Sequence, residues 1–166
     1  MKVLEVHPGG LAALQVTERE LPQPGPGEVR VRWHATSLNF HDYLVATGGI
    51  PVPAGRIPMS DGAGEVVALG QDVYDWEVGD QVMSMFFPNW VEGRPSFLKM
   101  AGILGETLDG CMAEYSVLST KALTRIPRGF SYAEAATLPC AATTAWRGLM
   151  VEGQLQAGQS VLIQGS

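Results

Sequence analysis

The sequence predicts a β-rich α+β fold, and three observations support this prediction. The 166 residues include 20 glycines and 11 prolines, which implies many turns and favours strands over long helices. Through most of the chain, short segments alternate apolar and polar residues, as half-buried strands do. After Pro127 the pattern changes to one typical of short helices.

The predicted strands follow one another through the first three quarters of the chain. KVLEV and AALQVTERE alternate near the amino terminus, and in EVRVRWHAT the residues Val29, Val31 and Trp33 share one face. GAGEVVALG, EVGDQVMSMFF and CMAEYSVLST predict three further strands. The stretch from Pro88 to Gly110 has no periodicity, so we expect a loop over the surface or over a cleft.

Helices are predicted at three places. FHDYLVATG is typical of a short helix closed by Gly48. Ser131 and Glu134 form a capping box that begins a second helix, which Pro139 interrupts. AATTAWRGLM predicts a third helix that ends near Gly153.

The last residues, AGQSVLIQGS, predict one more strand from Ser160 to Gln164, which runs into Gly165. A strand that ends in a glycine is how nucleotide-binding βαβ units begin. Such a unit needs ~30 residues, which do not follow here. We therefore expect only the first strand of a nucleotide-binding unit in these 166 residues.

Composition argues against several classes of partner. The net charge is −6 and no run of Lys or Arg is present, which argues against nucleic acid and against an anionic membrane surface. No apolar run approaches the roughly 18–20 residues that span a bilayer, and MKVLEVHPGG lacks the apolar core of a secretory signal. Cys111 and Cys140 are far apart, so we expect free thiols and a cytoplasmic location.

Four segments in order carry a family resemblance. They are ATSLNFHDYLV (35–45), PMSDGAGEVVALG (58–70), WEVGDQV (76–82) and SYAEAATLPCAATTAW (131–146). Together they resemble the amino-terminal half of a medium-chain dehydrogenase/reductase. The nearest members are the quinone-oxidoreductase-like and alcohol-dehydrogenase-like enzymes that use NADP.

The resemblance implies a domain organisation and a cofactor. Residues 1–127 would form a GroES-like catalytic domain, a partly open β-barrel, and residues 128–166 linker helices and the start of a Rossmann domain. In such enzymes Thr144 approaches the nicotinamide ring and Gly165 begins the phosphate-binding turn, so NADP(H) is the expected cofactor. The alternative for Thr144 is a hydrogen bond back to a helix carbonyl.

Zinc-dependent relatives place three metal ligands in the resembling segments, and here these positions hold Asn39, Ser60 and Cys140. An amide and a hydroxyl are poor zinc ligands, so we expect no zinc. A rearranged set of Asp61, His41 and Cys140 is conceivable. The four closely spaced cysteines of a second, structural zinc site are also missing from the sequence.

The resemblance implies three catalytic candidates, each with a structural alternative. Asn39 donates to a substrate oxygen or to the cofactor ribose, or it ties down the loop after a strand. His41 acts as an acid or a proton relay, or it is a surface histidine. Asp42 supports the site from behind, or it is an acid favoured by the start of a helix.

The acceptor pocket is predicted from aromatic residues. Phe86, Phe87 and Trp90 lie where the substrate cleft of the family has its walls, although aromatic residues are more often core. Tyr43 either lines the same pocket or is a half-buried tyrosine of a helix. An apolar pocket of this kind suits quinones, enones or aromatic carbonyl compounds better than sugars.

The leading hypothesis is therefore the substrate-side domain of a zinc-independent NADP(H) oxidoreductase that reduces a quinone, enone or carbonyl by hydride transfer. Because that reaction requires the Rossmann half, we expect no turnover by these 166 residues alone. One alternative is a stand-alone GroES-like binding or assembly module, and another is a zinc-dependent alcohol dehydrogenase. The expected partner is a small molecule, and a homodimer stays open.

Overall fold

The computed structural model describes residues 1–164. Within these residues the strands are β1 (Lys2–Glu5), β2 (Gln15–Glu18), β3 (Glu28–Ser37), β4 (Asp61–Leu69), β5 (Gln81–Ser84), β6 (Tyr115–Ser119) and β7 (Leu123–Arg125). The helices are α1 (Phe40–Thr47), α2 (Phe97–Met100), α3 (Tyr132–Ala135) and α4 (Thr143–Trp146). The predicted β-rich α+β class is confirmed.

Two antiparallel units make up the β structure. Five strands form an open sheet in the order β6-β3-β4-β5-β7, and β1 pairs with β2 in a separate ribbon. A bridge between Val3 and Ala113 joins the ribbon to the segment that precedes β6. Irregularities in the pairing of β3 with β4, between Arg30 and Val31 and between Trp33 and Ala35, bend the two central strands.

The main core lies on the face of the sheet that the β3 pattern predicts. Val29 and Val31 are fully buried, and Trp33 packs against the same cluster. Gly64 on β4 lies against the Arg32 carbonyl, where a side chain would collide with the backbone. The remaining members of this core are Met59, Val66, Trp76, Val82, Leu104, Cys111, Leu118, Ala122 and Leu123.

A second, smaller cluster fixes α3 to the sheet. The Ser131 N–H donates to a carboxylate oxygen of Glu134 at 2.9 Å, which confirms the predicted capping box. Ala135 is fully buried against the equally buried Ala63. His34 and the Tyr132 ring stack with centroids 4.3 Å apart, so β3 also holds the start of α3.

The helical backbone resumes at Leu138 and continues through α4 to Glu152, with wide π-type turns on both sides of α4. We call residues 138–152 the helical segment. Pro139 lies in its first turn, where the missing N–H breaks no helical hydrogen bond. The predicted interruption at Pro139 is therefore misplaced, because α3 already ends at Ala135 and Pro139 lies inside the helical segment.

The prediction of a strand from Ser160 to Gln164 is wrong for the described residues. Residues 160–164 have no strand pairing, and the side chains of Leu162 and Ile163 are 82% and 81% exposed. A parallel strand is stabilised by the ladders of its neighbours, and none lies beside it here. Gly165, the predicted cofactor glycine, lies outside the described residues.

The stretch from 88 to 110 follows an irregular course, as predicted, apart from the single turn of α2, which the Ser96 side chain caps. None of the helices that the structure describes is long and apolar enough to cross a membrane.

Candidate functional site

Asp42 joins the start of α1 to the start of β4. Its side chain is 1% exposed, and its two carboxylate oxygens accept the backbone N–H groups of Asn39 and Ser60 at 2.8 and 2.9 Å. A carboxylate at the first turn of a helix is favoured by the helix dipole. Both predicted roles of Asp42, helix-start acid and support from behind, are compatible with this one position.

Ser60 and Asp61 continue the same polar network in the core. Both are fully buried, and the Ser60 hydroxyl donates to Asp61 Oδ1 at 3.0 Å. Asn39 Nδ2 donates to the Ser60 hydroxyl at 3.2 Å, and the Cys140 N–H donates to Asp61 Oδ2 at 2.9 Å. The Ser84 hydroxyl donates to the Ser60 carbonyl at 3.0 Å and so joins the same network. We call this network the polar cluster; its members are Asn39, Asp42, Ser60, Asp61 and Ser84.

Burial affects the acidity of one member of the polar cluster. Burial raises the pKa of the Asp61 carboxyl, and the hydrogen bonds that it accepts act in the opposite direction.

Met59, directly before Ser60, is buried with φ at +78°, a conformation that is rare for a residue with a side chain. Strained backbone of this kind clusters at functional sites, and nothing in the local sequence predicted it.

His41 lies between two carboxylates. Its Nε2 is 2.9 Å from a Glu106 oxygen and its Nδ1 is 3.5 Å from Asp42 Oδ1, while its side chain is only 15% exposed. The hydrogen bond with Asp42 and the contact with Glu106 raise the pKa of His41, although burial opposes them. Glu106 is a site residue that sequence reasoning missed, since it is an isolated acid in an irregular stretch.

An apolar groove opens beside the polar cluster, between the segment after β5 and the helical segment. Its volume is about 770 Å³. The predicted residues Phe87, Trp90 and Thr144 line it, and Tyr43 does not. Tyr43 is 47% exposed and stacks on Phe40. The other lining residues are Met83, Ser84, Met85, Phe86, Val91, Glu92, Gly93, Leu123, Thr124, Pro139, Cys140, Thr143 and Arg147.

The groove and the polar cluster form one candidate site. Ser84 belongs to both, and Cys140 lines the groove while its N–H donates to Asp61. Thr143 and Thr144 both line the groove, and the Thr143 hydroxyl also donates to the Leu138 carbonyl at 3.3 Å. The predicted catalytic residues Asn39, His41 and Asp42 do not line the groove, although His41 contacts Phe86 of its wall. Their catalytic roles stay predictions.

Arg147 is a groove residue that the sequence did not single out. Its guanidinium lies 5.8 Å from the centre of the Trp90 ring and donates to Glu152 at 2.7 Å. The cation–π contact connects the helical segment to the loop that carries Trp90. A lone Arg in an amphipathic helix gives no sequence signal for such a contact.

The donor set does not fit a catalytic zinc ion. The three family ligand positions hold an amide, a buried hydroxyl and the thiol of Cys140, whose pKa is raised mainly by burial. The rearranged set of Asp61, His41 and Cys140 is also unsuited to zinc, because His41 contacts Glu106 and the oxygens of Asp61 already accept two hydrogen bonds. Among residues 1–164 no group of three His, Cys, Asp or Glu is placed to hold a metal.

Comparison with known proteins decides the family. Residues 25–128 match the alcohol dehydrogenase GroES-like domain. The chain belongs to the medium-chain dehydrogenase/reductase superfamily. This assignment confirms the resemblance of the four segments, the GroES-like fold and membership of a superfamily of oxidoreductases.

Relatives of this family include both alcohol dehydrogenases and quinone oxidoreductases. A zinc-type alcohol dehydrogenase-like protein of Schizosaccharomyces pombe is 43% identical over 95% of this chain and 47% of its own length. A chloroplastic quinone oxidoreductase of Triphysaria versicolor is 37% identical over 85% of this chain and 39% of its own. The chain therefore spans about half the length, or less, of the curated relatives it matches.

A solved structure shows the same fold. The cobalt- and zinc-bound thermostable alcohol dehydrogenase from Pyrobaculum aerophilum superposes with a TM-score of 0.78 at 32% identity. The match covers 89% of this chain and 47% of that one.

Proposed function

We propose that this chain supplies the substrate side of an NADP(H)-dependent oxidoreductase that reduces a quinone, enone or aromatic carbonyl by hydride transfer without zinc. The observation that carries the proposal is the groove, walled by Phe86, Phe87 and Trp90 and continuous with the polar cluster. Family membership supports the reaction class, and the chemistry of the groove supports the substrate class.

The groove suits a flat, weakly polar acceptor. Phe87 lies 4.8 Å from Phe86 and 6.0 Å from Trp90, measured between ring centroids, so the wall offers several aromatic surfaces for stacking. An apolar wall excludes water from the acceptor, which strengthens the few polar contacts that orient it. A sugar or another polyol would lose hydrogen bonds on entering such a groove.

The cofactor side is argued from Thr144. NADPH, when bound, would supply the hydride. We infer that Thr144 contacts the nicotinamide, which its position in the groove lining supports. The polar cluster holds the groove in shape through the hydrogen bond from the Cys140 N–H to Asp61. Asn39 and Asp42 support this arrangement, and the Asn39 amide donates to the Ser60 hydroxyl.

The absence of zinc from this proposal rests on donor chemistry, since an amide, a buried hydroxyl and one thiol do not make a zinc site. Cys111 and Cys140 are free thiols, which suits the reducing cytoplasm that we propose as the location.

The groove is tested by isothermal titration of the chain with 1,4-naphthoquinone and, for comparison, with sorbitol. We expect saturable binding of the quinone and none of sorbitol. Thr144→Trp should abolish quinone binding because the indole fills the groove, whereas Trp146→Phe, a change at an exposed residue outside the groove lining, should leave it intact. Quinone binding that survives in Thr144→Trp, or a preference for sorbitol, contradicts the proposal.

A zinc-dependent alcohol dehydrogenase is the second candidate, favoured by the 43% identity to a zinc-type relative. This candidate requires Asn39, Ser60 and Cys140 to bind zinc. Elemental analysis for zinc distinguishes it from the first proposal.

A further inference from the structure

One ion pair connects α1 to the irregular stretch between β5 and β6. His41 on α1 meets Glu106 at 2.9 Å, and both side chains are largely sheltered, 15% and 25% exposed. A charge-assisted hydrogen bond in such a place is strong and directional. The pair therefore holds the imidazole ring in one orientation.

The Glu106 side of the pair is itself held firmly. Leu104, two residues earlier, is 1% exposed in the main core. Gly105 has φ at +81°, and a side chain there would press on the Met59 backbone, so the turn is packed against the strained residue before Ser60. The Glu106 N–H also donates to the Ile103 carbonyl at 3.3 Å. Glu106 is thus a fixed point from which His41 is positioned.

The imidazole ring of His41 also contacts an aromatic residue of the groove wall. His41 meets Phe86 edge-on, with ring centroids 5.2 Å apart. Phe86 contacts Phe87 and Phe87 contacts Trp90, so a series of ring contacts runs from His41, which Glu106 holds, along the groove wall. The residues of this wall follow the end of β5, where no strand pairing fixes the side chains.

We propose that Glu106 and His41 are positioning residues: through Phe86 they set the orientation of the aromatic wall and thereby determine which planar acceptors the groove admits. A wall outside regular structure depends on side-chain contacts for its geometry, and this pair is its anchor on the side away from the groove. The choice of a quinone as probe rests on the proposed function, but the anchoring itself does not.

The test uses the chain labelled with 5-fluorotryptophan, in which Trp90→Phe assigns the Trp90 fluorine resonance. We expect Glu106→Ala to shift or broaden that resonance and to weaken 1,4-naphthoquinone binding about tenfold, which corresponds to about 1.4 kcal/mol. Glu106→Gln keeps an oxygen that accepts from His41 and should restore most of the affinity. Glu77→Gln removes an exposed acid elsewhere and should change neither readout.

A double-mutant cycle separates positioning from stability. His41→Ala combined with Glu106→Ala should lower affinity no further than either change alone, because both remove the same anchor. Additive losses, or a Trp90 resonance that Glu106→Ala leaves unmoved while the melting temperature falls, overturn the proposal. If wild type binds no quinone, the proposed function fails, and the Trp90 resonance still decides the anchoring.

Discussion

Asp61 shows how one residue connects the layers of the site. The carboxylate is fully buried on β4, yet it accepts a hydrogen bond from the Ser60 hydroxyl and one from the Cys140 backbone. Burying a charge is costly unless its oxygens are bonded, so each of these contacts offsets part of the cost. The hydrogen bond from the Cys140 N–H to Asp61 is one attachment of the helical segment to the sheet.

Replacing Asp61 should loosen that attachment. Asp61→Ala leaves the Cys140 N–H without its acceptor, and we expect the free energy of unfolding to fall by about 2 kcal/mol. Asp61→Asn keeps an acceptor oxygen and should lose clearly less. Urea unfolding followed by circular dichroism measures both, and equal losses for the two variants would contradict this account.

His41 should make stability depend on pH. Contacts with Asp42 and Glu106 raise its folded-state pKa above the usual 6.5, so its stabilising contribution is complete below that value and is lost as pH rises through the folded pKa. Between about pH 6 and about pH 8.5, wild type should therefore lose more stability than His41→Gln. Urea unfolding at both pH values gives the two differences, and identical losses would show that the histidine is not coupled to folding.

At the residue scale the sequence foresaw local contacts and missed distant ones. Asn39 and Asp42 were recognised because they fall in one motif, and they lie together. Glu106 lies 65 positions from His41, and no spacing rule connects residues so far apart in an irregular stretch. Strain at Met59 was equally invisible, since its close neighbour Gly105 lies 46 positions away in the sequence.

Among the elements, α1 has the sequence signals that define its ends. Gly48 follows its last residue with φ at +84°, a left-handed conformation that glycine adopts without strain. The predicted helix of FHDYLVATG therefore agrees with α1 to its closing residue.

Gly48→Ala should destabilise the chain by about 1–2 kcal/mol, because a side chain in the left-handed region is strained. Gly148→Ala is the matched control, since that glycine lies within the helical segment and a Cβ there meets nothing within 4 Å. Thermal unfolding should show a lower midpoint for the first variant and an equal or higher one for the second. The reverse order would rule out the capping explanation.

The predicted last strand shows the limit of local pattern. Its apolar residues suit a buried strand, but a strand exists only where neighbours complete its hydrogen bonds. The predicted strands that correspond to β3, β4, β5 and β6 have such neighbours, whereas residues 160–164 have none. No strand was predicted at β7, whose three residues are ordered by pairing with β5.

On the scale of the whole molecule, the site arises where the sheet meets the helical segment. The groove takes its walls from the segment after β5 and from residues 139–147, which lie far apart in the sequence. α3, packed on Ala63, brings the two together.

Elemental analysis of tag-free protein tests the prediction that this site binds no zinc. We expect zinc far below one equivalent, because Asn39 and Ser60 offer an amide and a hydroxyl where zinc requires thiolate, imidazole or carboxylate. Adding excess zinc and removing it by gel filtration should leave the result unchanged. Stoichiometric zinc that Cys140→Ser removes would instead support the alcohol dehydrogenase candidate.

Periodicity, capping residues and four ordered motifs were enough to predict the fold class, the ends of α1, the capping box of α3 and the family, because each depends on residues close together in the chain. The tertiary structure alone decided that Tyr43 stays outside the groove, that Glu106 holds His41 and that Asp61 ties down Cys140. Each of these features depends on residues that are far apart in the sequence. Long-range packing determines them, and no local pattern does.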